Sequence, residues 1–439
     1  MKRVIGIRRE DKNEWERRVP LIPADVEQVT KEHKIEFVVQ PSPIRIFTDD
    51  EYRRAGATIN EDLSACSAVF AVKEIPSELF QTEKTYIFFS HTIKGQEHNM
   101  PMLKTMMEQK CSLIDYEKVT DDKGRRLIFF GNFAGYAGMI DTLWALGQRL
   151  AWEGMPNPFE AMNHTYMYNN LTKAEQAVKE VGQKIERDGL PAEISPLIIG
   201  LTGYGNVSKA AQEIINILPV IEIAPDQIEE VFTNRKEDRR HVYKVIFKEQ
   251  DMVKPKEASV QFELQDYYTH PEKYESSMEA YLPYLGVLVN CIYWEARYPR
   301  VLTKAYLKEM FADGKTPVLK VVGDISCDIE GAIECTIDST KPNKPTFVYD
   351  PFTEQITPGI AGKGMVVMAV DNLPCELSRE SSTAFSHTLR DFVPALLDAD
   401  FTQPFDQCGL PETLKRAVIL YHGELTKDYA YLQEFVKKL

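Results

Sequence analysis

Residues 195–218 read SPLIIGLTGYGNVSKAAQEIINIL, and this stretch restricts the fold more than any other. An apolar run, Leu197, Ile198 and Ile199, ends in a glycine-rich turn, and an amphipathic helix comes directly after it. Val207, Ala210, Ala211, Ile214, Ile215 and Leu218 recur at helical spacing, so one face of that helix is buried. Strand, tight turn and helix in this order open a dinucleotide-binding unit.

The turn has a specific physical logic. Gly203 lets the backbone reverse sharply, and Gly205, without a side chain, lets a pyrophosphate come close. The helix then begins at the phosphates, offering unpaired N–H groups and the positive end of its dipole. Tyr204, Asn206 and Val207 belong to the same turn and are expected cofactor contacts. Glu222 stands 19 residues after Gly203, near the end of the next apolar run (220–223), where a ribose-binding acid is expected. The third glycine of G-x-G-x-x-G is Ser208 here. A single glycine fingerprint also fits an ordinary strand–helix turn, and the strand, helix and acid around it favour the nucleotide site.

The chain has 439 residues, enough for two or three domains. With 44% hydrophobic and 27% charged residues it has the composition of a water-soluble globular protein. Its 66 acidic and 52 basic residues leave a net charge of −14, which argues against nucleic acid and against anionic membrane surfaces as partners. No apolar run approaches the ~20 residues that span a bilayer. The amino terminus, MKRVIGIRRED, lacks an apolar core of signal-peptide length. Cys66, Cys111, Cys291, Cys327, Cys335, Cys375 and Cys408 form no C-x-x-C pair and no cluster with metal spacing. Reduced thiols, a cytoplasmic location and no metal site are the expectations.

Along the first 135 or so residues, short apolar runs at 4–7, 36–39, 68–72, 86–89, 112–114 and 127–130 read as strands. Helices are expected between them, at 23–32 and 99–109 for example, which predicts a parallel sheet covered on both faces. The segment GNFAGYAGMIDTLWALGQRL (131–150) starts glycine-rich and becomes a long helix able to join two domains. The nucleotide strand is expected to start near Ile194, with further strands at 287–290, 319–322, 347–349 and 365–370. Residues 224–284 read as a polar and aromatic insertion, either solvated cover or a lid or subunit contact. After Asp371 the chain reads as helical and returns to the first domain. The expected division is 1–140 plus 373–439 as the substrate domain and 141–372 as the dinucleotide domain.

Three ionisable residues stand just past apolar runs: Lys73 after AVFAV, His91 after YIFFS and Glu117 after SLIDY. Ligands of open parallel sheets bind beyond the carboxyl ends of the strands, so these side chains are placed to converge. Lys73 and His91 are the natural acid–base pair, because histidine titrates near neutrality and a buried lysine is lowered toward it. Solvated strand-end residues are the plainer alternative. The paired arginines of ERRVPLIP (Arg17, Arg18) and KGRRLIFF (Arg125, Arg126) suit two-point binding of substrate carboxylates, or are surface residues. Glu16, Glu74 and Glu117 would hold a substrate ammonium or pair with these cations. In the second half, VNCIYWE brings Ile292 and Tyr293, VVGDISCDIEGAIE brings Asp324, and VDNLP brings Asp371, Asn372 and Leu373 to loops at strand ends. Such loops line nicotinamide pockets, and equally occur as ordinary loops.

At these residues the chain resembles the lysine–2-oxoglutarate reductase (saccharopine dehydrogenase, lysine-forming) family, within the alanine dehydrogenase and transhydrogenase superfamily. The likeness runs in order through RREDKNEWERRVPLIP, AVKE, FFSHTIKGQE, LIDYEKV, GRRLIFFGNFAGYAGM, TGYGNVSKAAQ, VNCIYWE, GDISCDIEGAIE and VDNLP. It is similar to the reductase half of aminoadipic semialdehyde synthase. The resemblance implies an α/β protein of two Rossmann-like doubly wound domains with a cleft between them. It implies reductive condensation of L-lysine with 2-oxoglutarate to saccharopine, or the reverse. In that reading Lys73 and His91 match the acid–base pair, and Arg18 and Arg126 lie near substrate carboxylates. Glu16, Glu74 and Glu117 tune the pair, while Gly203 and Gly205 hold the phosphates and Asp324 lies on the cofactor side. The cofactor expected is NADP rather than NAD, with Arg235, Arg239 and Arg240 available to a 2′-phosphate although Glu222 suits NAD. A separate saccharopine-oxidising enzyme is an expected partner, and an oligomer is allowed. Another amino-acid or opine dehydrogenase, or a non-catalytic NAD(P)-binding regulatory protein, stays open as an alternative.

Overall fold

Long-range pairing of short buried strands organises this chain into two compact units. The computed structural model describes residues 3–438. One unit comprises the chain up to Phe130 together with the segment from Ser378 onward, and the other is Gly131–Leu377. In chain order the strands are β1 (Val4–Ile7), β2 (Glu36–Val39), β3 (Thr58–Ile59), β4 (Ala68–Phe70), β5 (Thr85–Phe88) and β6 (Ser112–Asp115). Then come β7 (Leu197–Thr202), β8 (Val220–Glu222), β9 (Val242–Phe247), β10 (Val253–Pro255), β11 (Tyr274–Ser276), β12 (Val287–Asn290) and β13 (Val321–Asp324). The last are β14 (Thr346–Tyr349), β15 (Ile356–Pro358), β16 (Met365–Met368), β17 (Val418–Tyr421) and β18 (Glu424–Leu425).

The first unit holds a sheet in the order β18-β17-β6-β5-β4-β1-β2-β3. From β6 to β3 every pairing is parallel. β1, β4, β5 and β6 are buried along their whole length, which is why they read as unbroken apolar runs. Helix α1 (Pro23–His33) starts with proline in its first turn and buries Val26 and Val29, and α2 (Asp49–Arg54) opens on a Thr48–Glu51 capping box. α3 (Met100–Glu108) buries Met102, Leu103 and Met106. The returning segment contributes helix Ser378–Leu389 and also two strands, β17 and β18, which pair antiparallel at the sheet edge. The helical expectation for this region missed those strands. Leu127–Phe130, expected as a strand, is irregular: a single bridge pairs Thr120 with Arg126, Ile128 is buried, and Phe130 packs against Phe385 with ring centroids 4.5 Å apart.

The second unit holds a sheet in the order β15-β14-β16-β13-β12-β7-β9-β8. It is parallel from β8 to β16, and β14 and β15 close it antiparallel. Helix α4 (Gly131–Trp152) belongs wholly to this unit, so the division falls at Phe130 and Leu377 rather than at 140 and 372. Its glycines explain its composition. A Cβ at Gly135 would lie 2.2 Å from the Val207 carbonyl oxygen, and one at Gly138 would lie 2.5 Å from Ile325. The α4 backbone therefore presses directly on α6 (Asn206–Ile215, named after α5, Leu171–Asp188).

The largest correction concerns residues 224–284. After α7 (Ile228–Asn234) this stretch supplies β9, which is hydrogen-bonded between β7 and the edge strand β8 of the parallel sheet. The elements after β9, namely α8 (Glu249–Met252), the antiparallel β10–β11 pair and α9 (Leu264–Thr269) between those two strands in the chain, make up much of the rest of the stretch. The nucleotide strand itself starts at Leu197, after the turn of 3₁₀-helix Ala192–Ile194.

Candidate functional site

In the first unit the candidate residues sit at the carboxyl ends of neighbouring strands, three positions beyond β4 for Lys73 and three beyond β5 for His91. His91 adopts a left-handed conformation (φ 47°), and Asn99 Nδ2 donates to its carbonyl at 3.0 Å. The Nδ1 atom of His91 lies 2.5 Å from Glu74 Oε1, and the other oxygen of Glu74 accepts from Lys12 Nζ at 3.0 Å. Burial pushes the Glu74 carboxyl up, but the hydrogen bond and charge of His91, with Lys12, outweigh it and hold the group well below the usual carboxylate range.

Lys73 is half-buried, and among the described residues its ammonium has no hydrogen bond or ion pair to protein. Desolvation, then the positive charge of Arg18, lowers its pKa from the ordinary lysine value, with Glu16 opposing. A lysine drawn out of water without a hydrogen bond or ion pair is costly unless something else engages it, which makes Lys73 a candidate for a functional role. Behind it sits Glu10, which sequence reasoning missed. Its two oxygens accept from the backbone N–H groups of Val72 (2.7 Å) and Lys73 (3.0 Å), pinning the end of the strand. Burial, reinforced by the charge of Glu16, raises Glu10 to about 7. Its position just past β1 was the available signal.

The two arginines differ. Arg18 is buried, forked onto Glu16 (Nε–Oε1 2.7 Å, Nη2–Oε2 2.6 Å), and stacked over Phe130 at 4.2 Å. Arg126 is exposed, 3.7 Å from Glu117 and 5.9 Å over the Phe89 ring. Phe89 also stacks on His91 at 6.2 Å, so one aromatic cluster steers an arginine and the imidazole. The Glu117 backbone N–H donates to buried Asp115 at 2.7 Å. The structure thus brings Glu16, Arg18, Lys73, Glu74 and His91 into one electrostatic neighbourhood, with Arg126 and Glu117 beside its aromatic wall.

In the second unit the glycine turn has the form that phosphates need. Gly203 has φ +79°, and its N–H donates to the Phe247 carbonyl at 2.8 Å. A Cβ at Gly205 would meet nothing within 4 Å, so open space lies over the start of α6. The residues present therefore fit a dinucleotide pyrophosphate. Asn206 begins the helix and is exposed, Val207 is half-buried against α4, and Ser208, in place of the third glycine, is fully buried. Gly203, Tyr204, Gly205, Ile292 and Tyr293 line a cavity of 390 Å³ beside the turn.

The other expected contacts differ in placement, and Asp324 is level with Thr202 in the strand register. Glu222 is paired with Lys244 Nζ at 2.8 Å, and in the strand register it stands level with Ile199, not with the turn. Asp324 is buried and engaged: Asn290 Nδ2 (2.9 Å), Thr336 Oγ1 (2.7 Å) and the Cys327 N–H (3.2 Å) all donate to it. Burial pushes it up to about 6 despite those bonds. Thr202 Oγ1 donates to Asn290, completing a network that ties β7, β12 and β13 together beneath the loops. Asp371 is exposed, Asn372 is half-buried with its carbonyl accepting from Cys375 N–H at 3.0 Å, and Leu373 is core. Arg239 donates to the Leu190 carbonyl, and with Arg235 and Arg240 it lies before β9, at the amino-terminal end of the sheet and away from the turn. Among the described residues no group of three or more His, Cys, Asp and Glu is placed to hold a metal, and no helix is long and apolar enough to cross a membrane.

Comparison with known proteins matches these features. Residues 6–137 match the family "Alanine dehydrogenase/PNT, N-terminal domain", and residues 244–428 match "Alanine dehydrogenase/PNT, C-terminal domain". An alpha-aminoadipic semialdehyde synthase of Arabidopsis thaliana is 40% identical across 99% of this chain, which spans only 42% of that relative's length. A saccharopine dehydrogenase [NAD(+), L-lysine-forming] of Yarrowia lipolytica is 27% identical, with 82% of this chain and 83% of that one aligned. Among solved structures an L-alanine dehydrogenase superposes with a TM-score of 0.62 at 16% identity, covering 99% of both chains, which shows a shared fold. The chain belongs to the alanine dehydrogenase/PNT family.

Proposed function

We propose that this chain is an oxidoreductase that condenses L-lysine reductively with 2-oxoglutarate to saccharopine, or runs that reaction in reverse, using a reduced nicotinamide dinucleotide. The observation that carries the reading is Lys73, a half-buried lysine whose ammonium has no hydrogen bond or ion pair to protein among the described residues and whose pKa is lowered, beside the Glu74–His91 pair. The named relatives supply the substrate class.

Each step needs a group of the kind found here. The substrate ammonium must lose a proton before its nitrogen can attack the keto carbon, and Lys73 in its neutral form accepts it. The new C–N bond forms as the carbonyl π pair moves to oxygen, which takes a proton from His91. The nitrogen, positively charged once bonded, returns a proton to His91, and Lys73, holding the proton it took from the substrate ammonium, protonates the hydroxyl, so water departs as the nitrogen lone pair forms the C=N bond and leaves a protonated imine. When bound, the reduced nicotinamide supplies the hydride that reduces this C=N bond. Arg126 and Arg18 orient carboxylates, Arg126 by direct access and Arg18 by its charge. The cytoplasm, where the cysteines stay reduced, is the proposed location. A separate saccharopine-oxidising enzyme is the proposed partner. The expected preference for NADP rested partly on Arg235, Arg239 and Arg240 and loses that support.

The test monitors absorbance of NADH and of NADPH with purified protein, adding L-lysine and 2-oxoglutarate singly and together. Loss of signal only with both substrates supports the proposal. Loss with pyruvate and ammonium instead would move the reading to an alanine dehydrogenase-like enzyme. No loss with any substrate pair would leave a non-catalytic binder.

A further inference from the structure

In a dinucleotide unit the ribose is read from the strand that adjoins the glycine-turn strand on the side away from the second half of the sheet. By chain order that strand would be β8, ending at Glu222. In space it is β9, because β9 is inserted between β7 and β8. The register makes the consequence quantitative. Glu222 aligns with Lys244 and through it with Ile199, three residues short of Thr202, so at ~3.3 Å per residue it lies about 10 Å below the turn. Its carboxylate is also closed on Lys244, whose buried ammonium is held by Asn216 Oδ1 at 2.9 Å as well. The end of β9, in contrast, is tied to the turn itself by the Gly203 N–H to Phe247 carbonyl bond. Two residues past Phe247 stands Glu249.

Glu249 lines the cavity beside the turn, and Tyr268 donates to its Oε1 at 2.7 Å. Tyr204, within the turn, also hydrogen-bonds it. The rest of the wall is largely aromatic, Tyr267, Trp294 and Tyr298 together with Met252 and Cys291, and the Tyr267 and Tyr298 rings are 5.3 Å apart. The volume of 390 Å³ falls within the ~300–1,000 Å³ typical of ligand sites. No lysine or arginine is among the residues lining it, and the nearest cation in sequence is exposed Lys248.

We propose that this aromatic cavity receives the adenosine half of the cofactor and that the Glu249 carboxylate reads the ribose 2′ position, accepting a 2′-hydroxyl and repelling a 2′-phosphate. The enzyme is then selective for NADH over NADPH. The assignment rests on the dinucleotide reading of the turn and deepens it by naming the residue that chooses between cofactors.

The experiment titrates the full-length protein with NADH and NADPH, monitoring nicotinamide fluorescence, and compares Glu249→Gln, Glu249→Arg and Glu222→Gln. The ratio of the two dissociation constants is the readout, because damage to the fold weakens both cofactors together. Wild type is expected to bind NADH about tenfold or more tightly, the scale set by one like-charge contact at partial exposure. Glu249→Gln should narrow that ratio and Glu249→Arg should invert it. A wild type that prefers NADPH, or Glu249 variants with an unchanged ratio, would overturn the assignment, as would a shift confined to Glu222→Gln. Binding of neither cofactor to a folded wild type would instead overturn the dinucleotide reading beneath it.

Discussion

Glu74 Oε1 lies 2.5 Å from His91 Nδ1, and this contact commits one imidazole nitrogen to protein and leaves Nε2 outside it. The carboxylate comes from the residue next to Lys73, so a single backbone step sets both members of the candidate acid–base pair.

Replacing either member should therefore stop chemistry without stopping cofactor binding. Lys73→Met and His91→Gln are each expected to lower kcat by about 10²- to 10⁴-fold, the usual worth of a general acid or base, with NADH affinity within about twofold of wild type. Steady-state rates and fluorescence titration check this. Wild-type turnover in both variants would remove them from the mechanism.

Glu74 acts through His91, so Glu74→Gln should lower kcat by about ten- to a hundredfold while KM for both substrates holds. It also has a signature in stability. The folded carboxyl titrates below the ordinary value near 4.5, so its ionised form stabilises the protein above that pH. As pH falls from about 4.5 through the folded value, that contribution is lost. The stability difference between wild type and Glu74→Gln, measured by denaturant unfolding, should be full at pH 6 and shrink in the acid range.

Glu10 behaves in the opposite sense. Its folded pKa is raised from 4.5 to about 7, so between those values the native state holds a proton that the unfolded chain has released. Stability from this group falls as pH rises across the window, by about 3 kcal/mol in all, and is flat outside it. Isotope-labelled Glu10 should titrate near 7 by NMR, and Glu10→Gln should lose the slope between pH 4.5 and 7. A Glu10 resonance titrating near 4.5 would contradict this account.

Gly135→Ala tests the close approach of α4 and α6. The added methyl would fall 2.2 Å from the Val207 carbonyl and 2.7 Å from the Ala210 Cβ, so the helices must part. A loss of about 1–3 kcal/mol is expected, as for other overpacked sites. Because the displaced turn of α6 is the one just after Gly205, NADH affinity should fall as well. Unchanged melting temperature and affinity would show that the helices separate freely.

Much of this site was legible from local order alone. The apolar run, glycine turn and helix of 195–218 define a phosphate cradle through backbone sterics and helix polarity, which depend on near neighbours in sequence. Lys73 and His91 became candidates for the same reason, since each stands after a run of residues that a doubly covered strand must bury. Glu10 escaped notice because its importance comes from the two N–H groups it receives from a different strand.

The ribose acid shows where local reading stops. Glu222 has the expected spacing from Gly203, and spacing measures only distance along the chain. Which strand lies next to β7 is settled by hydrogen bonds between segments some forty residues apart. The polar surroundings of β9, with Lys244 buried inside it, hid that strand within an apparent insertion. Chain-local chemistry pointed to a nucleotide-type turn and to a candidate acid–base pair. Long-range strand pairing determined which carboxylate stands beside that turn, because register between strands is a property of the assembled sheet.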